Sequence, residues 1–171
     1  MTAKKCLLSL VTTKEEAEEV FKLAKKVYSE YNNMSLFNMI DYDVVFEQFI
    51  NEMPKGVNGT YLLAFKDSDT KEYVGCAVVS IGSAWFNPKL TIVSEEVTIA
   101  FKKGYGIARN VGAYMQYLVS VGKADMAVSG NAQKKSSKQV ENSYKKLGYD
   151  SHEVFYYVTE ELQERLDKET E

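Results

Sequence analysis

The sequence predicts an α/β fold of the α+β kind: a mixed, mostly antiparallel sheet flanked by helices, with one parallel strand-helix-strand unit. Three observations predict it. Two strand-like runs, residues 60–66 and 72–81, are separated only by the polar stretch Asp67-Ser68-Asp69-Thr70-Lys71, the length and composition of a hairpin loop. An apolar run over residues 90–101 then leads through a glycine turn into an amphipathic helical pattern and a further short strand, 125–129. Earlier, Ala17, Val20, Phe21, Ala24, Val27, Tyr28 and Tyr31 recur at intervals of three and four, the mark of one helix face.

Length and composition bound the possibilities. The 171 residues suit a single domain over residues 1–171, with 160–171 a charged helical tail that has little to bury beyond Leu162 and Leu166. Lys and Arg number 21 against 24 Asp and Glu, a formal net charge of -3, so no basic field favours nucleic acid as a partner. One histidine and two cysteines leave a structural zinc site short of ligands, and no metal is expected. Cys6 and Cys76 both sit in apolar runs and read as buried side chains. Residues 1–5 lead into only a short apolar run, which predicts neither a membrane anchor nor a signal peptide and points to a cytoplasmic protein.

In chain order, residues 6–11 form a strand candidate, after which Thr13 and Glu16 make a capping-box pattern at a helix start. Asn32-Asn33-Met34-Ser35 interrupts that helix. A second begins near Asp41 or Asp43 and closes at Pro54-Lys55-Gly56. Residues 82–88 read as a loop carrying Trp85, and the strand at 90–101 is long enough to require a bend or bulge. In the helix after the glycine turn, Ile107, Val111, Met115, Leu118 and Gly122 share a face. A polar link, 130–137, precedes a helix with Val140, Tyr144 and Leu147 on one side and Gly148 as its stop, and residues 149–159 alternate as a last strand.

The chemistry concentrates at Lys103-Gly104-Tyr105-Gly106-Ile107-Ala108. Two glycines let backbone approach a ligand, and the unpaired amides of a first helical turn carry the positive end of the helix dipole, so the turn predicts an anion site, with Lys103 adding a mobile charge. In a strand-helix-strand unit the ligand lies at the carboxyl end of the first strand, where this turn falls. A dinucleotide fold would place its glycine fingerprint after the first strand of a repeated series. Here it comes late, after an antiparallel hairpin.

The element order resembles that of the GNAT N-acetyltransferase superfamily, and two motifs carry the resemblance. Residues 103–108 match the acetyl-CoA motif (Arg or Gln, two residues, Gly, one residue, Gly or Ala), with Lys103 in its first position. Tyr144-Lys145-Lys146-Leu147-Gly148-Tyr149 is similar to the second motif, a tyrosine followed by a basic stretch and Leu-Gly-Phe. The chain departs from the family in having Lys103, which lacks the fork geometry of arginine. It also has Ser137 where an asparagine is common, and lacks a proline after Thr98-Ile99-Ala100.

The resemblance implies an acetyl-CoA-dependent transferase. The backbone of Tyr105, Gly106, Ile107 and Ala108, with Lys103 and Gly104, would hold the pyrophosphate, and the backbone of Thr98, Ile99 and Ala100 would pair with pantetheine. Tyr144 would protonate the departing thiolate. A glutamate on the strand before the turn would act as base. Glu95 and Glu96 are adjacent there, and strand parity with Thr98 and Ala100 selects Glu96. His152 reads as an exposed strand residue. The acceptor would be an amine-bearing small molecule or a protein lysine or N-terminus, met by Asp41, Tyr42, Asp43 and Trp85 through charge and aromatic faces. Transfer is expected to be direct, since buried cysteines argue against an acyl-enzyme. A homodimer through residues 149–159 is a further expectation, and a noncatalytic CoA-binding or protein-binding module is the rival class.

Overall fold

A computed structural model of the chain describes residues 4–30, 44, 47, 59–84, 86–129 and 137–149. The element order is β1 (Cys6–Leu10), α1 (Lys14–Glu30), β2 (Thr60–Asp67), β3 (Tyr73–Ala84), β4 (Asn87–Ala100), α2 (Ile107–Ser120), β5 (Met126–Val128) and α3 (Ser137–Lys145). The described strands form one sheet in the order β1-β2-β3-β4-β5, antiparallel except for the parallel β4–β5 pair. The predicted mixed α/β architecture is therefore the one observed. The second helix expected near Asp41, the strand at 149–159, the charged tail, His152 and the acceptor candidates Asp41, Tyr42, Asp43 and Trp85 lie outside the described residues, apart from Val44 and Glu47, which are helical, and Tyr149.

Side-chain alternation divides the core between the two faces of the sheet. Leu63, Phe65, Ala77, Val79, Ile81 and Val93 pack under α2, while Leu62, Ala64, Cys76, Val78 and Ile99 pack under α1. Helix α1 begins where Thr13 Oγ1 accepts the Glu16 N–H at 3.2 Å. The Glu16 carboxylate accepts from Lys66 Nζ and Tyr73 Oη, each at 3.0 Å, and this ties the helix to β2 and β3. On its buried side Ala17, Val20 and Ala24 are fully enclosed.

Two boundaries differ from the sequence-based expectation. The loop expected over 82–88 is shorter than that: β3 runs to Ala84 and β4 starts at Asn87, paired Ala84 to Asn87. Cross-strand pairing of Gly82 and Ser83 with Ile92 and Thr91 overrides their weak strand preference. Gly122 is not part of a helix face either. Helix α2 ends at Ser120, and Gly122 sits at φ 71 just beyond it. The Gly122 N–H reaches the Val119 carbonyl and the Lys123 N–H reaches the Leu118 carbonyl, closing the helix with a Schellman motif. The same device ends α3, with Gly148 at φ 87 and the Tyr149 N–H bonded to the Tyr144 carbonyl at 3.2 Å.

Candidate active site

The glycine turn lies at the carboxyl end of β4. Gly104 and Gly106 adopt φ 92 and φ 63, left-handed values that a side chain would strain. Gly106 is the N-cap of α2 and offers no side chain to the helix. The first helical bond runs from the Asn110 N–H to the Gly106 carbonyl at 3.0 Å, so the amides of Ile107, Ala108 and Arg109 precede the helical ladder. They form a concentrated donor site with the helix dipole behind it. Lys103 and Arg109 are exposed beside them. Ile107 is buried, and Gly75 on β3 permits this: a Cβ on Gly75 would stand 2.8 Å from Ile107 Cγ1 and 2.8 Å from the Ile99 carbonyl oxygen. The helix start is thus set directly onto the sheet.

Strand β4 then bends away from regular alternation. Val78 pairs with Val97 and the next residue, Val79, pairs with Glu95, so Glu96 is the extra residue of a bulge. On the carboxyl side of the bulge, Val97 and Ile99 pack with the α1 cluster, whereas Val93 on the other side packs under α2. This corrects the parity expected for Glu96. Glu95, not Glu96, lies on the face of Thr98 and Ala100, because the bulge inserts one residue between them. Glu96 is exposed on the opposite face and accepts a hydrogen bond from Ser80 Oγ.

Pairing of β4 with β5 covers only Ile92, Val93 and Ser94 against Met126, Ala127 and Val128. Past that point no strand among the described residues pairs with the outer edge of β4. Glu95 is the first residue beyond the paired segment. Its Oε2 accepts from both Ser129 Oγ and Tyr144 Oη. The edge from Glu95 to Ala100 is about 17 Å long at the usual strand rise and ends at the glycine turn. Along it Ile99 is buried, Ala100 is exposed, and Thr98 Oγ1 is buried without a hydrogen-bond partner.

Tyr144 is 7% exposed and packs edge-on against Tyr149, with ring centres 5.2 Å apart. Burial, followed by the charge and hydrogen bond of Glu95, pushes its hydroxyl well above the usual phenol range. Gly112 on α2 makes room for the ring: a Cβ there would come within 2.7 Å of Tyr144 Cε1. The Gln116 side-chain amide donates to the Leu147 carbonyl at 2.5 Å, and Tyr149 Oη donates to the Gly112 carbonyl at 2.9 Å, which locks α3 to α2.

The structure therefore places Lys103 to Ala108 and the Thr98 to Ala100 edge at the carboxyl end of β4 and Tyr144 against Glu95 where that edge begins, with Glu96 on the other face of the strand. Sequence reasoning missed Ser129, Gly75 and Gly112. Gly112 carried a signal as an isolated glycine inside a helical pattern and Gly75 as one inside a strand pattern, where a close approach is expected; Ser129 carried none. Among the described residues no three His, Cys, Asp or Glu side chains cluster as metal ligands, and no helix is long and apolar enough to cross a membrane. Cys76 is fully buried, and burial pushes its thiol up to about 12.

The fold, with its parallel β4–β5 pair and its glycine turn at the start of α2, is shared by solved structures of acetyltransferases. An aminoglycoside acetyltransferase from an uncultured soil metagenomic sample superposes with a TM-score of 0.65 at 12% identity, covering 91% of this chain and 98% of that one. A ribosomal-protein-alanine N-acetyltransferase from Brucella melitensis biovar Abortus 2308 gives 0.63 at 11% identity over 91% and 99%. A predicted acetyltransferase with acetyl-CoA from Clostridium acetobutylicum gives 0.61 at 11% identity over 91% and 96%. No protein-family model and no curated protein matches the sequence.

Proposed function

We propose that the chain is an acetyl-CoA-dependent N-acetyltransferase that moves an acetyl group directly to a primary amine. One observation carries this reading: a β4 edge that no other described strand pairs with runs from the free amides of a helix start to a buried tyrosine hydroxyl held at Glu95. The amides of Ile107, Ala108 and Arg109 suit a pyrophosphate, and the edge at Thr98 to Ala100 suits an extended amide-bearing arm that pairs like an added strand. Acetyl-CoA supplies the acyl group already activated as a thioester.

The chain's own residues then manage two protons. Tyr144 keeps its proton throughout the neutral range and donates it in a hydrogen bond to Glu95 in the structure. With the donor bound, the same hydroxyl would turn from Glu95 to the departing sulfur and, as a phenol less acidic than a thiol, steady the thiolate chiefly as a hydrogen-bond donor. Glu96, on the opposite face, is the candidate to take the proton of the incoming ammonium. Placing the two groups on opposite faces separates the nucleophile side from the leaving-group side.

The acceptor class is an amine on a small molecule or on a protein. The neighbouring folds include enzymes named for aminoglycosides and for a ribosomal-protein alanine, and both kinds belong in the test panel. Binding is checked by thermal melting with acetyl-CoA, NAD or ATP at millimolar concentration. A Tm rise of several degrees with acetyl-CoA alone is expected, and stabilisation by NAD or ATP without CoA would overturn the reading.

A further inference from the structure

Beneath the glycine turn lies a cluster that the mechanism above does not use. Tyr105 stands between the two left-handed glycines with its ring buried, and its Oη donates to Asp67 Oδ2 at 2.5 Å. The other oxygen of the same carboxylate, Oδ1, accepts the backbone N–H groups of Asp69 and Thr70, both at 2.8 Å. One carboxylate therefore closes the β2–β3 loop and ties that loop to the turn. The Tyr105 carbonyl accepts from the Asn110 side-chain amide at 3.0 Å, and the Gly104 carbonyl accepts from the Lys4 N–H at 3.0 Å. The Lys4 ammonium lies 5.4 Å from the centre of the Tyr105 ring.

A segment with two glycines has wide freedom in solution, yet its amides converge on an anion in one arrangement only. Something must select that arrangement before the ligand arrives. Tyr105 is suited to do so, because its backbone is part of the cradle while its side chain is anchored to a different hairpin. We propose that the Tyr105–Asp67 hydrogen bond preorganises the phosphate turn, so that both residues set the grip on the phosphate end of CoA without touching it. This inference rests on the acetyl-CoA reading above. Tyr105 and Asp67 are positioning residues, and their effect should be confined to the phosphate-bearing part of the donor. The Asp67 bond pushes the Tyr105 hydroxyl up to about 12 and holds the carboxylate below its usual range, so the pair stays phenol and carboxylate around neutrality.

Calorimetric titration with CoA and with pantetheine, which lacks the nucleotide and its phosphates, separates positioning from general weakening. Tyr105→Phe keeps the ring in the core and removes one hydrogen bond to a charged group, so the Kd for CoA should rise about five- to tenfold. The Kd for pantetheine should stay within about twofold on the same reasoning. Asp67→Asn can keep its amide oxygen on the loop N–H groups and turn its NH2 toward the Tyr105 oxygen, so it should fall between wild type and Tyr105→Phe. Equal CoA affinity in wild type and Tyr105→Phe would overturn the proposal, as would a loss shared equally by pantetheine. A wild-type chain that does not bind CoA would instead remove the reading beneath it.

Discussion

At the scale of single residues the proposed chemistry is assigned to Tyr144 and Glu96 beside Glu95, and a one-residue bulge decides which of them meet. Tyr144 gives its hydrogen bond to Glu95, while Glu96 faces Ser80 across the sheet. Tyr144→Phe keeps the packing against Tyr149 and Gly112 and removes only the hydroxyl. Steady-state kinetics should show kcat lower by on the order of a hundredfold, the low end of what a positioned acid contributes, with CoA affinity changed less than about twofold. An unchanged kcat would remove Tyr144 from the chemistry. The identity of Tyr144 was readable from its motif and helix face. Its partner was not, because strict alternation along residues 95–100 assumes an unbroken pleat, and nothing in Glu95-Glu96-Val97 announces the bulge that breaks it.

Among the elements, α2 organises the site. Its start, capped by no side chain, is the proposed anion cradle, its buried face rests on Gly75, and its Gly112 receives the ring carried by α3. Gly112→Ala sets two effects against each other. Alanine improves the helix by about 1 kcal/mol, while a Cβ 2.7 Å from Tyr144 Cε1 pushes the ring off its place at a cost of about 1–3 kcal/mol. The melting temperature should therefore change by only a few degrees, while kcat falls tenfold or more because the hydroxyl leaves Glu95. A variant with wild-type kcat would show that the close approach does not position Tyr144. Helix periodicity, the glycine stop at Gly148 and the hairpin between β2 and β3 were all legible in the sequence. The extension of β3 and β4 through Gly82 and Asn87 was not, since it depends on pairing between strands and not on local preference.

The described residues form a five-stranded sheet with α1 on one face and α2 and α3 on the other. The order of these elements was legible because each carries its own period and stop signals. The way α2 and α3 close on each other was not, because it depends on glycines whose importance lies in what approaches them. The net charge of -3 sets no strong field toward nucleic acid and suits a cationic acceptor weakly. The fold alone does not establish catalysis, and the central claim concerns turnover. The most direct measurement is thiol release from acetyl-CoA in the presence of polyamines, aminoglycosides, amino acids and amino-terminal or lysine peptides, with the acetylated product identified by mass spectrometry. The account predicts release that depends on one class of amine and falls sharply in Tyr144→Phe. Acetyl-CoA binding without amine-dependent release across the panel would contradict it and assign the chain to CoA binding without transfer.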